Sequence, residues 1–262
     1  MTDILTVSNV SLNFGGLAAV ANLDMRIAKG ELVGLIGPNG AGKTSIFNLL
    51  TGVYPPSSGQ IVFRPGGNDI NLARKSPSAI CLSGIGRTFQ NIRLFRNLTV
   101  LENVAVAQAQ HMRYGLVHSF LHTPRYGRIE RQIRQESLEL LRIMGLDAKA
   151  DERASSMSYG EQRRLEIARA MATRPSLLLL DEPAAGMNPA ETTQLSELIG
   201  WLREHFGLTI LLIEHDMSLV MNICERLYVL DHGLLISEGP PAMVKNDPVV
   251  IKAYLGEEAL DA

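Results

Sequence analysis

Cysteine is nearly absent from this chain: Cys81 and Cys224 are the only two among 262 residues. That excludes a small secreted fold stapled by disulfides, and both thiols read as reduced, Cys224 as a core residue. Long apolar runs are also missing. The cleanest, SLLLLD and LTILLIE, fall far short of the roughly 20 residues that span a bilayer. A basic excess is missing too. The net charge of −2 argues against a protein built mainly to coat nucleic acid. The opening MTDILTVSNV carries neither the basic segment nor the apolar run of a secretory leader, so none is expected. Any membrane role must then run through a partner. What the chain does have is 46% hydrophobic residues, enough to bury a large core.

Gly37-Pro38-Asn39-Gly40-Ala41-Gly42-Lys43-Thr44 fits the phosphate-cradling pattern G-x-x-x-x-G-K-[ST] at every fixed position. Average residue usage yields about 0.01 accidental matches in a chain of this size. The flanks agree. Glu31 to Gly37 is short, apolar and β-prone, which predicts a buried strand. Downstream, Ile46, Phe47, Leu49 and Leu50 share one helical face, and Gly52 is placed to end that helix. Strand, glycine loop and helix start are what phosphate binding needs. The glycines let backbone N–H groups point inward, and the helix start adds positive potential. Lys43 is then set to reach the outer phosphates, and the Thr44 hydroxyl to face Mg2+.

Ahead of this loop, Ile4 to Phe14 and Asn22 to Ile27 read as strands. Phe14, alone before two glycines, reads as a strand-end core aromatic, with adenine stacking as the other option. A short strand ends at Phe63, a glycine- and proline-broken stretch follows, and Gln90 sits just past a strand-like segment. A mostly helical region runs from about Arg93 to Arg174. Thr99 to Glu102 is a capping box that opens one helix. Arg125 to Met144 is a long amphipathic helix with Ile129, Ile133, Leu138, Leu141 and Ile143 inward, closed by Gly145. Between them, His111 to Pro124 is apolar with few acids. His118 and His122 lie four apart, but no carboxylate completes a metal set, and a packed or partner-facing loop is the preferred reading.

Ser158-Tyr159-Gly160-Glu161 is a second capping box opening a helix. A capped helix start is also an anion site, although the motif alone says no more than a well-capped helix. Leu177 to Leu180 is an uninterrupted apolar strand, as at the centre of a parallel sheet. It ends in Asp181 and Glu182. Two carboxylates there are costly unless they serve a cation or a water, and that edge of an α/β sheet is where ligands bind. His215 ends a second such strand, LTILLIEH. Ala190 to Phe206 predicts an amphipathic helix with Trp201 in the core, and the terminal EEALDA is expected to fray. Strands alternating with helices predict a parallel sheet joined by right-handed crossovers.

GPNGAGKT, GRTFQ, MSYGEQRR, LLLLDEP, AAGMNP and LLIEH stand in the order found in ATP-binding subunits of ABC transporters, and the chain resembles that family over nearly its whole length. FGGLAAV, DEPAAGMNPAE and LLIEHDMSLVM are similar, more narrowly, to the branch that energises branched-chain amino-acid uptake. The resemblance implies an α/β fold: a P-loop ATPase core with a mostly parallel sheet, an N-terminal antiparallel β part and an inserted helical subdomain. It implies one ATPase domain, with core 1–92 and 175–262 and helical subdomain 93–174. ATP and Mg2+ are the implied cofactors. Phe14 would stack on adenine, and Gly37, Pro38, Asn39, Gly40, Ala41, Gly42, Lys43, Thr44 and Ser45 would wrap the phosphates. Thr44, Gln90 and Asp181 would hold Mg2+, Asp181 through water. Glu182 would polarise the attacking water and His215 contact the terminal phosphate, making Glu182, His215, Gln90 and Lys43 the catalytic set. Ser158 and Gly160 would reach ATP bound to a second ATPase subunit, identical or paralogous. Integral-membrane permease subunits would be direct partners, near the residues after Gln90 and the apolar insert His111 to Pro124. A periplasmic or extracellular binding protein would be an indirect partner, nucleic acid none, and the place of work the cytoplasmic face of the inner membrane.

Two departures stand out. The usual LSGGQ of the family reads Met157-Ser158-Tyr159-Gly160-Glu161 here, and Asn188 stands where the family often has Asp. Capping-box geometry predicts that the Glu161 carboxylate turns back to the Ser158 N–H, away from an incoming anion. Competing classes fit less of the chain. A P-loop kinase leaves Ser158 to Arg164 unexplained. A non-transport ABC ATPase would be expected to bring a second ATPase unit, coiled coils or zinc clusters. An ATPase of a lipid or lipopolysaccharide exporter shares all the motifs and is the nearest alternative.

Overall fold

The computed structural model describes residues 2–110 and 124–255. His118, His122, most of the apolar insert and the tail EEALDA lie outside them. The chain forms two compact units, Met1–Arg87 with Ser176–Ala262, and Thr88–Pro175.

The first unit holds two sheets. Strands β1 (Asp3–Phe14), β2 (Leu17–Ala28), β4 (Ser58–Phe63) and β5 (Ile70–Asn71) pair antiparallel in the order β2-β1-β4-β5. The second sheet has the order β10-β9-β3-β8-β7-β6, from β3 (Leu32–Ile36), β6 (Ile85–Arg87), β7 (Leu177–Asp181), β8 (Thr209–Ile213), β9 (Arg226–Asp231) and β10 (Leu234–Gly239). Only β10 runs antiparallel to its neighbour; β9, β3, β8, β7 and β6 are parallel. The reason is composition. Every residue of β3, β7 and β8 is buried, as strands covered on both faces require. β1 instead buries Leu5, Val7, Val10 and Leu12 and exposes residues between them. Both sheets feed one hydrophobic core, with Phe47 and Phe63 fully buried in it.

Because the strands are parallel, their C-terminal ends share one edge, and the polar residues that follow β3, β7 and β8 leave the core together. Helix α1 (Lys43–Leu50) follows β3 and buries Ile46, Phe47, Leu49 and Leu50. Gly52 takes a left-handed φ of 69° just beyond it. Burial pushes the Cys224 thiol up to about 12, consistent with an inert core cysteine.

The second unit is helical: α3 (Val100–Ala109), α4 (Pro124–Ile143) and α5 (Tyr159–Ala172), after a short α2 (Pro77–Leu82) in the first unit. Thr99 and Ser158 each close a reciprocal capping box. Asn103 is fully buried because its amide accepts the Phe95 N–H and donates to the Phe95 and Thr99 carbonyls.

Trp201 corrects the sequence reading. On α6 (Pro189–Phe206) the buried stripe is Thr192, Leu195, Ile199 and Leu202. Trp201 falls beside that stripe, is 43% exposed and stacks on His205 with centroids 4.4 Å apart. Helical periodicity fixes a stripe, and bulk alone does not bring a side chain into it. Among the described residues no helix is long and apolar enough to cross a membrane.

Leu179 is fully buried and registers with Leu211 of β8. Leu179→Ala should cost about 2–5 kcal/mol. A urea unfolding curve should show a lower midpoint with an unchanged slope.

Candidate active site

The phosphate loop starts where β3 ends. Gly37 adopts a φ of 149°, and a Cβ added there would sit 2.1 Å from the Leu230 carbonyl oxygen. Gly42, the N-cap of α1, has a φ of 105°, and its Cβ would lie 2.6 Å from the Ala19 carbonyl. Both positions therefore require glycine. No side chain caps α1, so its first N–H groups keep their donor capacity for an anion. Lys43 is only 6% exposed, and its ammonium donates to the carbonyls of Gly37 (2.6 Å) and Pro38 (2.9 Å). Burial pushes its pKa below the ordinary lysine value, while the charges of Glu182 and Asp181 pull it back up. Those three groups thus share one electrostatic environment. Thr44 is exposed on the first turn.

Asp181 is the last residue of β7 and is 2% exposed. Arg87, at the end of β6, donates to its Oδ2 at 2.9 Å. The other end of the guanidinium donates to Asn48 Oδ1 (2.8 Å) and Thr51 Oγ1 (3.0 Å), and the group lies over the Phe47 ring at 5.4 Å. Arg87 was missed from sequence. Its position in GRTFQ marked a motif, but nothing local pointed to a carboxylate 94 residues away. Glu182 follows with a φ of 47°, and its N–H donates to the Ile213 carbonyl at 2.9 Å. Its Oε1 lies 2.7 Å from His215 Nε2, which places His215 as expected, at the same sheet edge.

The Thr44 hydroxyl and the Asp181 carboxylate are hard oxygen donors. No group of three or more His, Cys, Asp or Glu that could cage a metal occurs among the described residues. Few protein ligands of this kind suit Mg2+, which keeps its waters and takes the rest of its shell from phosphate oxygens. Phe14 is 46% exposed and meets the Tyr54 ring edge-on at 5.1 Å. It is not the core aromatic its neighbourhood in the sequence suggested. The chain turns there in a hairpin, β1 into β2, which leaves the ring free to offer a face.

Gln90, Ser158 and Gly160 belong to the other unit, where one helix organises them. Arg163 of α5 is 2% exposed and donates to the Phe89 carbonyl (2.7 Å), to the Gln90 carbonyl and to the Tyr159 hydroxyl (2.8 Å). Its partner Glu166, at 3.2 Å, accepts the N–H groups of Phe89 and Arg93 at 3.3 Å each. Burial raises the Glu166 pKa against the pull of those N–H groups and of Arg163. Tyr159 therefore has room: its ring lies 5.3 Å from the Arg163 guanidinium. Glu161 accepts from the Ser158 N–H and hydroxyl, both at 3.0 Å, and pairs with Lys149 at 2.8 Å. The Lys149 hydrogen bond, then those of Ser158, hold the Glu161 pKa below the usual carboxylate range.

A family model described as ABC transporter matches residues 20–185, and one described as branched-chain amino acid ATP-binding cassette transporter matches residues 235–259. The chain is 48% identical over 254 residues to the high-affinity branched-chain amino acid transport ATP-binding protein LivG of Escherichia coli K12, covering 97% of this chain and 98% of that one. It is 45% identical to the corresponding protein BraF of Pseudomonas aeruginosa, with coverages of 97% and 98%. It is 35% identical to the lipopolysaccharide export system ATP-binding protein LptB of Haemophilus influenzae, covering 98% of each. Among solved structures, the ADP conformation of an ATP-binding cassette of an ABC transporter superposes with a TM-score of 0.83 at 30% identity, covering 98% of this chain and 100% of that one. A dimeric cassette bound to ADP and Pi superposes with a TM-score of 0.75 at 25% identity, covering 90% and 98%.

Gly37→Ala should displace the loop and weaken binding of a fluorescent ATP analogue at least about tenfold, because the new Cβ meets backbone rather than a yielding side chain. The far-ultraviolet dichroism should be unchanged.

Proposed function

The chain belongs to the ABC transporter ATP-binding family, and on that ground we propose that it hydrolyses ATP to drive branched-chain amino-acid uptake through membrane permease partners. The observation that carries the chemistry is the Glu182–His215 pair, 2.7 Å apart at the sheet edge where Lys43 and Asp181 also sit. The cargo rests on the printed names of the relatives at 48% and 45% identity and on the match over residues 235–259. The exporter reading is carried by a relative at 35% identity.

In this reading the loop from Gly37 to Ser45 wraps the phosphates with its N–H groups, and Lys43 supplies positive charge to the outer pair. Mg2+, when bound, neutralises the phosphate oxygens, and Thr44, Gln90 and Asp181 are the residues that would hold it. Glu182 orients water for in-line attack and takes its proton. His215 touches the terminal phosphate and holds the Glu182 carboxylate in one rotamer. Phe14 stacks on adenine, braced by Tyr54. Ser158 and Gly160 complete the site of a second ATPase subunit, identical or paralogous; the dimeric cassette bound to ADP and Pi supports such pairing in the family. Opening after hydrolysis then moves the permeases. The whole chain acts as one ATPase domain at the cytoplasmic face of the inner membrane, and a periplasmic or extracellular binding protein delivers the amino acid.

Glu182→Gln should bind ATP within about threefold of the native protein and lose at least about 100-fold in turnover. It should also dimerise more readily with ATP, seen as earlier elution in size-exclusion chromatography. Normal phosphate release by this variant would remove Glu182 from the reaction.

A further inference from the structure

Glu214 has no part in the scheme above, yet it is a carboxylate 3% exposed, one residue past the end of β8 and one before His215. Burying a carboxylate is unfavourable unless its oxygens are satisfied. Here they are satisfied by two different loops. Oε1 accepts the Ala184 N–H at 2.6 Å, from the segment that follows β7 and carries Glu182. Oε2 accepts the His215 N–H at 3.1 Å, from the segment that follows β8. The Asp216 N–H lies on the same carboxylate. One side chain therefore fastens together the two segments whose tips meet as Glu182 Oε1 and His215 Nε2.

Past Asp181 and Ile213, where the β7–β8 ladder ends, the backbone gives this junction one further cross-link, from the Glu182 N–H to the Ile213 carbonyl. One hydrogen bond leaves a hinge; a second, two residues further along, removes it. A carboxylate suits the task because it offers two oxygens to diverging donors, and charged acceptors bind N–H groups more tightly than neutral ones, the more so away from water. Every group bonded to Glu214 is backbone, so the charge is spent on holding main chain in place.

We propose that Glu214 is a positioning residue for hydrolysis: by clamping Ala184 to His215 it sets the separation of Glu182 and His215. It touches no phosphate and leaves nucleotide binding, which belongs to the loop after β3, alone. The proposal rests on Glu182 and His215 carrying hydrolysis, as stated above.

The test is a double-mutant cycle on the full chain, under conditions where it turns over ATP. Glu214→Ala should lower kcat about tenfold or more, since misplacement by a fraction of an ångström is enough, while KM and the Kd of a fluorescent ATP analogue stay within about twofold. Glu214→Gln offers one acceptor oxygen and should fall in between. In a His215→Ala background, Glu214→Ala should cost less than about a further twofold, because the distance it guards no longer matters. An equal cost in both backgrounds, or a parallel loss of nucleotide affinity, would reduce Glu214 to general support of the fold and overturn the proposal. If Glu214→Ala does not fold, the cycle with Glu214→Gln decides the same question at smaller amplitude. Glu182→Gln separates the two levels: full turnover in that variant defeats the site assignment itself, whereas a dead Glu182→Gln with an additive cycle defeats only the role of Glu214.

Discussion

Lys43 is 6% exposed and Asp181 2% exposed, both at the edge of a sheet whose neighbouring strands are apolar up to that point. Charges so placed must be met by something fixed, or folding would eject or neutralise them. The carbonyls of Gly37 and Pro38 meet the ammonium, and Arg87 meets the carboxylate. Much else follows. For its carbonyl to face Lys43, the loop must turn at Gly37, where no Cβ fits against Leu230. For Arg87 to face Asp181, its other amino group needs Asn48 and Thr51 near the end of α1. The strand that carries the acid and the helix that carries the lysine are thereby tied through one guanidinium.

The parts legible in the sequence were those whose signal is local. The phosphate loop is contiguous, and the strand before it and the helix after it announce themselves by period. LLLLDE reads directly as a buried strand running into acid. Arg87, Arg163, Glu166 and Glu214 were not legible in this way. Each acts on groups from 30 to 94 residues distant, and a charged residue in an amphipathic or strand-end setting looks like any solvated one until the topology folds it inward. Two aromatics show a related cause. Trp201 reads as core by its bulk but misses its helix's buried stripe, and Phe14, read from its neighbours alone as a strand-end core residue, sits where a hairpin turns; the family resemblance points it toward adenine.

Around the second motif helix, the departures from the usual family sequence form one connected arrangement. Tyr159 replaces a glycine and its hydroxyl oxygen accepts from Arg163; Glu161 replaces a neutral residue and is turned onto Ser158 and Lys149. Arg163 and Glu166 also bond the backbone of residues 89 to 93. A buried ion pair of this kind is a poor way to gain stability, since hydrophobic residues of equal volume do as well. What it does supply is a defined placement. The segment containing Gln90 and the helix start containing Ser158 are held as one piece, so neither can shift without the other.

Three carboxylates crowd the edge where β7 and β8 end, and their partners divide the work among them. Asp181 has a guanidinium at one oxygen, which fixes its direction. Glu214 is bonded to main chain and serves only to hold it. Glu182 differs from both: its side chain is 13% exposed and its Oε1 meets the His215 imidazole at 2.7 Å. Its φ of 47° also breaks the strand's alternation directly after Asp181, so the direction of its carboxylate is not dictated by the pleat. A non-glycine residue held there carries strain of order 1 kcal/mol, tolerated only where the surroundings over-determine it. The Ile213 carbonyl and the clamp at Ala184 provide that over-determination. An imidazole partner, on a backbone that cannot relax, is what separates Glu182 from its two neighbours.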